Sequence, residues 1–275
     1  MTASVALVTG ASSGIGAATA RALAELGYTV HAAARRTDRL AELAAEGIHP
    51  LALDVTDEAS LQAGVAAVVE QSGGIDVLVN NAGYGSYGAI EDVDPAEAQR
   101  QFDVNVFGAM RLTQIVLPHM RARRSGTVVN ISSMGGRFHT PLGGWYHASK
   151  YAVEALSDAM RMELAPHGVR VAIIEPGAIR TEFGDIAADS LAEYSGSGAY
   201  AAQARRMARA HERMFGADAA EVDVVVDAIV HAATARRPRS RYQVPASARA
   251  MVAATKVVPS PVMDAVMGRM FGTHR

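Results

Sequence analysis

A rhythm constrains this chain more than any single residue. Short apolar runs alternate with segments of helical periodicity along most of its 275 residues. The runs are residues 4–9, 28–34, 50–53, 75–79, 127–131 and 169–174, with a later one at 241–244. Parallel strands need a crossover between them, and the crossover is usually a helix. The expected fold is therefore α/β: a doubly wound parallel sheet of about seven strands with helices on both faces. Ligands of such sheets sit at the carboxyl ends of the strands. Residues 10–16, 34–36, 54, 80–83, 133 and 176–181 all fall at such ends.

The first of these ends carries Gly10-Ala11-Ser12-Ser13-Gly14-Ile15-Gly16, between an apolar run and a helical pattern. Gly10 permits a tight turn, Gly14 lets a ligand approach the backbone, and Gly16 lets the helix lie close to the sheet. The free N–H groups and dipole at that helix start favour a pyrophosphate. A tight strand-to-helix turn without a ligand is the alternative. Three glycines and two serines weigh against it.

The second strand should end at Ala34, followed by Arg35 and Arg36. A site for unphosphorylated NAD usually has Asp or Glu here to hold the ribose 2′-hydroxyl. A guanidinium instead pairs with a 2′-phosphate. NADP(H) is expected over NAD(H), unless both arginines merely cap the sheet edge and face water. Asp38 is expected in the first turn of the next helix. Asp54 and Val55 close the third strand, with Thr56 the expected cap of the helix after it. Asn80-Asn81-Ala82-Gly83 ends the fourth. Residues 95–120 form one long helical stretch with Asn105 at its centre, in apolar company that implies burial and a hydrogen-bonding role.

Tyr146 and Lys150 stand four apart near the start of another helical segment, which runs to about residue 165 and has Val153, Leu156, Met160 and Leu164 on one face. A free phenol has a pKa of about 10. A neighbouring ammonium favours the phenolate and lowers that value, making the phenol an acid–base group. A partly buried tyrosine beside a snorkelling lysine has the same spacing.

Composition removes other classes. The chain has no cysteine, which excludes disulfides and thiolate metal sites; no metal site is expected. A net charge of −2 gives no general attraction to nucleic acid. Residues 1–10 lack a secretory signal pattern, and no apolar run reaches the ~20 residues of a membrane span. A cytoplasmic protein is expected. The basic clusters Arg121, Arg123, Arg124 and Arg236, Arg237, Arg239, Arg241 are taken as solvated helix ends. The whole of 1–275 is expected as one domain. Residues 185–217 form an excursion, either a substrate lid or a surface helical hairpin, with a flexible break at 195–198. An extension, 245–275, could cover a pocket, a partner subunit or a membrane surface.

Together these residues resemble the short-chain dehydrogenase/reductase family over residues 5–181, in the branch whose glycine spacing is that of 10–16. The resemblance implies a Rossmann-like domain, commonly a homodimer or homotetramer. It implies Asn105, Ser133, Tyr146 and Lys150 as a catalytic tetrad, Ser133 standing thirteen residues before Tyr146. Tyr146 would exchange the proton. Lys150 would lower its pKa and bond the nicotinamide ribose, Ser133 would bond the substrate oxygen, and Asn105 would hold a water linking Lys150 to solvent. Asn81, Ala82 and Gly83 match the motif that steadies the sheet beside the cofactor. Pro176, Gly177, Ile179 and Thr181 match the segment that holds the nicotinamide, and Asp54 and Val55 would lie at the adenine. His147 and Ser149 are spacers in that motif.

The implied activity is interconversion of a secondary alcohol and a ketone on an apolar small molecule: steroid-, retinoid- or lipid-like. Phe138, Pro141, Leu142, Trp145, Tyr84, Tyr87, Phe183 and Met207 are the candidates for its wall. The competing function is a non-catalytic dinucleotide-binding regulator that senses redox state, and the intact tetrad speaks against it.

Overall fold

Strands β1 (Val5–Thr9), β2 (Thr29–Ala34), β3 (His49–Ala52), β4 (Val77–Asn80), β5 (Gly126–Ile131), β6 (Val169–Pro176) and β7 (Arg241–Val244) form one sheet in the order β3-β2-β1-β4-β5-β6-β7. Every neighbouring pair is parallel. The strand order reverses between β1 and β4, so the chain leaving their carboxyl ends parts and a crevice opens there. This is a Rossmann-like fold. The computed structural model describes residues 3–271. Residues 1–2, at the start searched for a signal pattern, and 272–275, the last of the extension, lie outside the described residues.

The helices are α1 (Gly14–Glu25), α2 (Ala41–Ala45), α3 (Glu58–Ser72), α4 (Pro95–Phe102), α5 (Ala109–Arg123), α6 (Gly144–Leu164), α7 (Phe183–Ser195), α8 (Ala201–Phe215), α9 (Asp223–Thr234), α10 (Ala246–Thr255) and α11 (Ser260–Phe271). Successive side chains of a strand point to opposite faces, so a strand covered on both sides is apolar throughout. β1 obeys this rule: Ala6 and Val8 pack with Leu23 of α1 and Ile229 of α9. Val5 and Leu7 pack on the other face with Val65 of α3 and Leu112 of α5. A third apolar cluster lies over the carboxyl ends. It joins Tyr87, Phe138 and Tyr146 to Leu191 of α7, Met207 of α8 and Met267 of α11. Among the described residues no helix is long and apolar enough to cross a membrane.

Several local expectations need correction. The stretch 95–120 is not one uniform helix. Asp94 caps α4 by accepting from the Ala96 N–H, and a π-helical turn, Asp103–Gly108, separates α4 from α5. Such a turn inserts a residue and redirects side chains, here rolling Asn105 inward. Gly108 makes room for it, because a Cβ there would stand 2.5 Å from the Val55 carbonyl oxygen. The cap of α3 is Asp57, whose carboxylate accepts from the Ser60 N–H. Thr56 instead bonds the Asp54 carboxylate.

On α6, Val153 and Leu164 are buried but Leu156 is 41% exposed. The inward stripe carries Tyr146, Lys150, Val153, Glu154, Ser157 and Leu164, with Met160 packed beside it, so the apolar periodicity located the face but wrongly set Leu156 on it. The break expected at 195–198 begins at a fixed residue. Ser195 is buried, donates to Asp92 and accepts from the Ala89 N–H, pinning the end of α7.

The basic clusters are also only partly solvated helix ends. Arg123 pairs with Asp76 and donates to the Ile75 carbonyl. Arg241 lies in β7 and bonds Glu154 and Asp158 of α6, and its Nε stands 3.0 Å from Glu175 of β6. Glu154 and Glu175 are both buried, and Arg137 approaches both, at 3.8 and 3.7 Å. Removing one member of a buried ionic group strands its partners without solvent or counter-charge. Arg241→Met should therefore lower unfolding free energy in urea by about 3 kcal/mol. Adding Glu154→Gln and Glu175→Gln to that variant should recover part of the loss.

Candidate active site

The glycine loop leaves β1 with Gly10 at φ 65° and Gly14 at φ 52°, backbone conformations that L side chains rarely adopt. A Cβ on Gly10 would stand 2.8 Å from Ala82 Cα, and one on Gly16 2.3 Å from the Gly10 carbonyl oxygen. The loop is thus folded onto itself and onto the end of β4. Asn81 fastens the two, its side-chain amide donating to the carbonyls of Thr9 and Gly10. The Thr9 hydroxyl accepts from the N–H groups of Asn81 and Ala82. No side chain caps α1, and no acidic residue stands in its first turn. Its leading N–H groups are left to whatever enters the crevice.

That crevice opens into a cavity of about 760 Å³. Ser12, Ser13, Gly14 and Ile15 line one end, with Arg35, Arg36, Asp54, Val55, Asn81, Ala82 and Gly83. Pro176, Gly177, Ile179 and Thr181 line it further along. Gly16 is not on the wall and acts by shaping the loop. The strand-end residues are therefore brought together as their sequence positions imply. Arg35 and Arg36 are exposed and form no ion pair among the described residues, whereas Arg39 is held by Glu182 of the β6–α7 connection. Asp38 sits in a short 3-10 turn off the cavity wall. A glycine-shaped cradle, an uncapped helix start and two guanidiniums without an ion pair among the described residues fit a nicotinamide dinucleotide.

At the middle of the cavity stand Ser133, Tyr146 and Lys150. Ser133 accepts from the Gly135 N–H, which leaves its own proton free to turn outward. Burial pushes the Tyr146 phenol up to about 12, and the nearby Ser133 hydroxyl acts the other way. Lys150 is 7% exposed, donates to the Ile131 carbonyl, and stands 6.0 Å from the centre of the Tyr146 ring. Burial pulls its ammonium down to about 8, and Glu154, one turn along, opposes that. The lowering of the phenol's pKa expected from Lys150 is not found: burial raises it, and the group that opposes burial is Ser133.

Asn105 lies behind the wall rather than on it. Its side-chain oxygen accepts from the Tyr84 N–H, and its amide donates to the Tyr84 carbonyl and to Ser149. A Cβ on Gly83 would meet Asn105 Oδ1 at 3.0 Å and Lys150 Nζ at 3.6 Å, so this glycine lets the two approach.

Sequence reasoning gave His147 and Ser149 no role, and both have one. Ser149 donates to the Tyr146 carbonyl and accepts from Asn105. His147 Nδ1 bonds the Gly135 carbonyl, and Nε2 bonds the N–H of Thr140. One ring thereby pins both ends of the loop carrying Phe138. Burial holds the imidazole near a pKa of about 4, so it serves as a neutral strut. No spacing rule would have found it, since its partners are backbone atoms.

The far end of the cavity is apolar. Tyr84, Tyr87, Phe138 and Phe183 line it as expected, but Pro141, Leu142, Trp145 and Met207 do not. Trp145 packs edge-on against Phe102 and donates to the Ile90 carbonyl, away from the site. Met207 is fully buried beneath the wall. Met214 and Phe215 of α8 and Met251, Met267 and Phe271 of the extension complete the lining. Spacings of three and four residues mark these as helix faces, but not which way the faces point.

Comparison with known proteins accords with this geometry. The family model for the short chain dehydrogenase matches residues 4–190. The 3-ketodihydrosphingosine reductase of Bacteroides thetaiotaomicron is 38% identical over 182 residues, 66% of this chain and 66% of that protein. A short-chain dehydrogenase from Streptomyces avermitilis superposes with a TM-score of 0.82 at 35% identity, over 98% of this chain and 95% of that one. A metagenomic short-chain oxidoreductase solved in complex with NADP superposes at 0.69 with 30% identity, over 88% of this chain and 96% of that one. By sequence and by fold, this chain belongs to the short-chain dehydrogenase family of oxidoreductases.

Proposed function

We propose that this protein is an NADP(H)-dependent oxidoreductase interconverting a secondary alcohol and a ketone on an apolar small molecule of steroid, retinoid or lipid type. One observation carries this: the Ser133–Tyr146 pair stands where the glycine-loop half of the cavity meets its apolar half. A reacting carbonyl placed there has its polar oxygen at the two hydroxyls and its greasy body among Tyr87, Phe138 and Met214. When bound, the dinucleotide supplies or accepts the hydride. Gly10, Ser12, Ser13, Gly14, Ile15 and the residues near Thr181 would hold it, with Asp54 and Val55 at the adenine.

The chain's own residues handle the proton. In the reducing direction Ser133 donates to the carbonyl oxygen, and the Tyr146 O–H bond breaks as negative charge builds there. The phenolate left behind is stabilised by the Lys150 ammonium. In the oxidising direction the same phenolate takes the alcohol proton. Residues 185–217 would serve as a lid over the apolar half. Exposed Phe107 of the π turn and Met162 of α6 are apolar surface that a homodimer or homotetramer would cover. The relative that reduces a ketosphingoid carbonyl supports the ketone class.

Tyr146→Phe should lower kcat by roughly a thousandfold, while NADPH binding, read by fluorescence titration, stays within a factor of about two. Comparable turnover in the variant would remove Tyr146 from the chemistry.

The unpaired guanidinium at the end of β2 supports the choice of nucleotide. Arg35→Ala should weaken NADPH binding by roughly tenfold or more and leave NADH binding nearly unchanged. Equal losses would mean that Arg35 does not read the 2′-phosphate.

The two directions should also separate with pH. Reduction uses a protonated phenol and a charged ammonium. Rising pH removes the ammonium first, near 8, and the phenol proton only toward 12. Reduction kcat/KM should hold level to about pH 8 and fall above it. Alcohol oxidation needs the phenolate, whose share grows with pH, so its rate should climb over the same range. Initial rates in both directions, followed by cofactor absorbance, check this.

A further inference from the structure

One polar side chain among the aromatic rings of the cavity wall has no use in the proposed chemistry and no hydrogen-bond partner among the described residues. His211 of α8 lines the cavity, is 4% exposed, and forms no hydrogen bond among the described residues. Its Nδ1 is buried without a partner. Its ring meets Tyr87 at 90° with centroids 4.8 Å apart, and Phe215 nearly edge-on at 5.4 Å. Tyr87 in turn lies 5.4 Å from Tyr146, ring to ring. His211 is therefore one aromatic ring removed from the reacting centre.

A neutral imidazole always carries one N–H donor and one lone-pair acceptor. Burying either without a partner is unfavourable, and such groups in native proteins call for an explanation. His147 shows the contrast: both of its nitrogens are spent on backbone and on Thr140. His211 has aromatic neighbours and the cavity.

We propose that His211 is a polar subsite for a second oxygen of the substrate: the ligand is an apolar ketone or alcohol with a further hydroxyl or carbonyl group, remote from the reacting carbon, that hydrogen-bonds this imidazole. This rests on the alcohol–ketone function proposed above and narrows its substrate class. A site that offers a hydrogen bond from a desolvated pocket discriminates against the analogue that lacks it, because the site's own group is then left unpaired. Being neutral, His211 makes a site for a hydroxyl or carbonyl oxygen and not for a carboxylate. Its burial, with its neighbour His147 opposing charge, holds it near a pKa of about 4.

The test uses two fused-ring ketones: a decalone, and the same decalone with a hydroxyl on its far ring. Binding to the full-length protein with NADP present is measured by calorimetry, independently of turnover. The wild type should bind the hydroxylated ketone about tenfold more tightly. His211→Phe, which keeps the aromatic packing and removes both nitrogens, should abolish that preference by weakening only the hydroxylated ligand. His211→Gln, which restores a donor and an acceptor, should recover part of it.

A merely structural histidine would instead lower the Tm of His211→Phe and weaken both ketones alike, and that result overturns the proposal. So does a wild type without preference, including one that binds neither ketone, or a preference that survives in His211→Phe. If the preference and its loss are observed but the bound ketones are not turned over, the subsite stands and the alcohol–ketone reaction falls.

Discussion

Tyr146 and Lys150 are both taken out of water, and the site depends on what that does to each. Burial favours the neutral form of either group, so it moves the phenol toward about 12 and the ammonium toward about 8. The two pKa values are drawn toward neutral–neutral from opposite sides. A phenolate formed beside an ammonium in a low-dielectric pocket gains much more than the same pair in water. On the proposed mechanism the stabilisation is therefore largest when charge appears on Tyr146, during proton transfer, and smallest in the resting protein. A fully solvated pair would lose that contrast. In that proposal the walls that desolvate the pair, from Tyr87, Phe183 and the loop that His147 pins, serve the proton chemistry as much as substrate binding.

The same burial has to be supported from below. Lys150 is followed one turn later by Glu154, also buried, which helps keep the ammonium charged. Burial raises Glu154, and buried Glu175 opposes its ionisation further. Two carboxylates this deep hold together only because Arg241 reaches both from β7 and Arg137 approaches both from the loop before α6. The edge strand, far from the glycine loop in sequence and in the sheet, therefore bears on the charge state of α6. Gln243 adds a bond to Glu175 from the same strand.

What was legible in the sequence follows from which interactions are local. Strand positions and the glycine loop were found because a buried parallel strand must be apolar and a tight strand-to-helix turn needs glycine at Gly10 and Gly14. Both are properties of a few consecutive residues. The convergence of Ser133, Tyr146 and Pro176 was legible because parallel strands deliver their ends to one edge. The π turn at Asn105 was not, since an inserted residue leaves the local composition unchanged and is stabilised by contacts to Tyr84 and Ser149. Leu156 misled for a related reason. Helical periodicity locates a stripe, but the inward stripe of α6 is partly polar, and polar burial is decided by partners elsewhere. Arg241 likewise looked solvated because its three carboxylates lie between about eighty and ninety positions upstream or on a neighbouring strand.

The apolar half of the cavity extends this division. The nucleotide half is built from strand ends and short loops of the βα rhythm, whose geometry the sheet fixes. The other half comes largely from α7, α8 and α11, which pack on one another rather than on the sheet, with α10 set beside β7. Nothing in sheet geometry dictates their side chains, so the identities at Met214, Met251 and Met267 are free to follow the ligand. Methionine fills irregular apolar space with little strain, and several of them along one wall suit a ligand of variable outline. A wall made only of such residues would recognise greasiness and little else. Selectivity in it must come from a directional group, and a hydrogen bond in a desolvated pocket discriminates far more sharply than an added methylene. His211, bonded to nothing among the described residues, is such a group in the part of the fold that the sheet leaves undetermined.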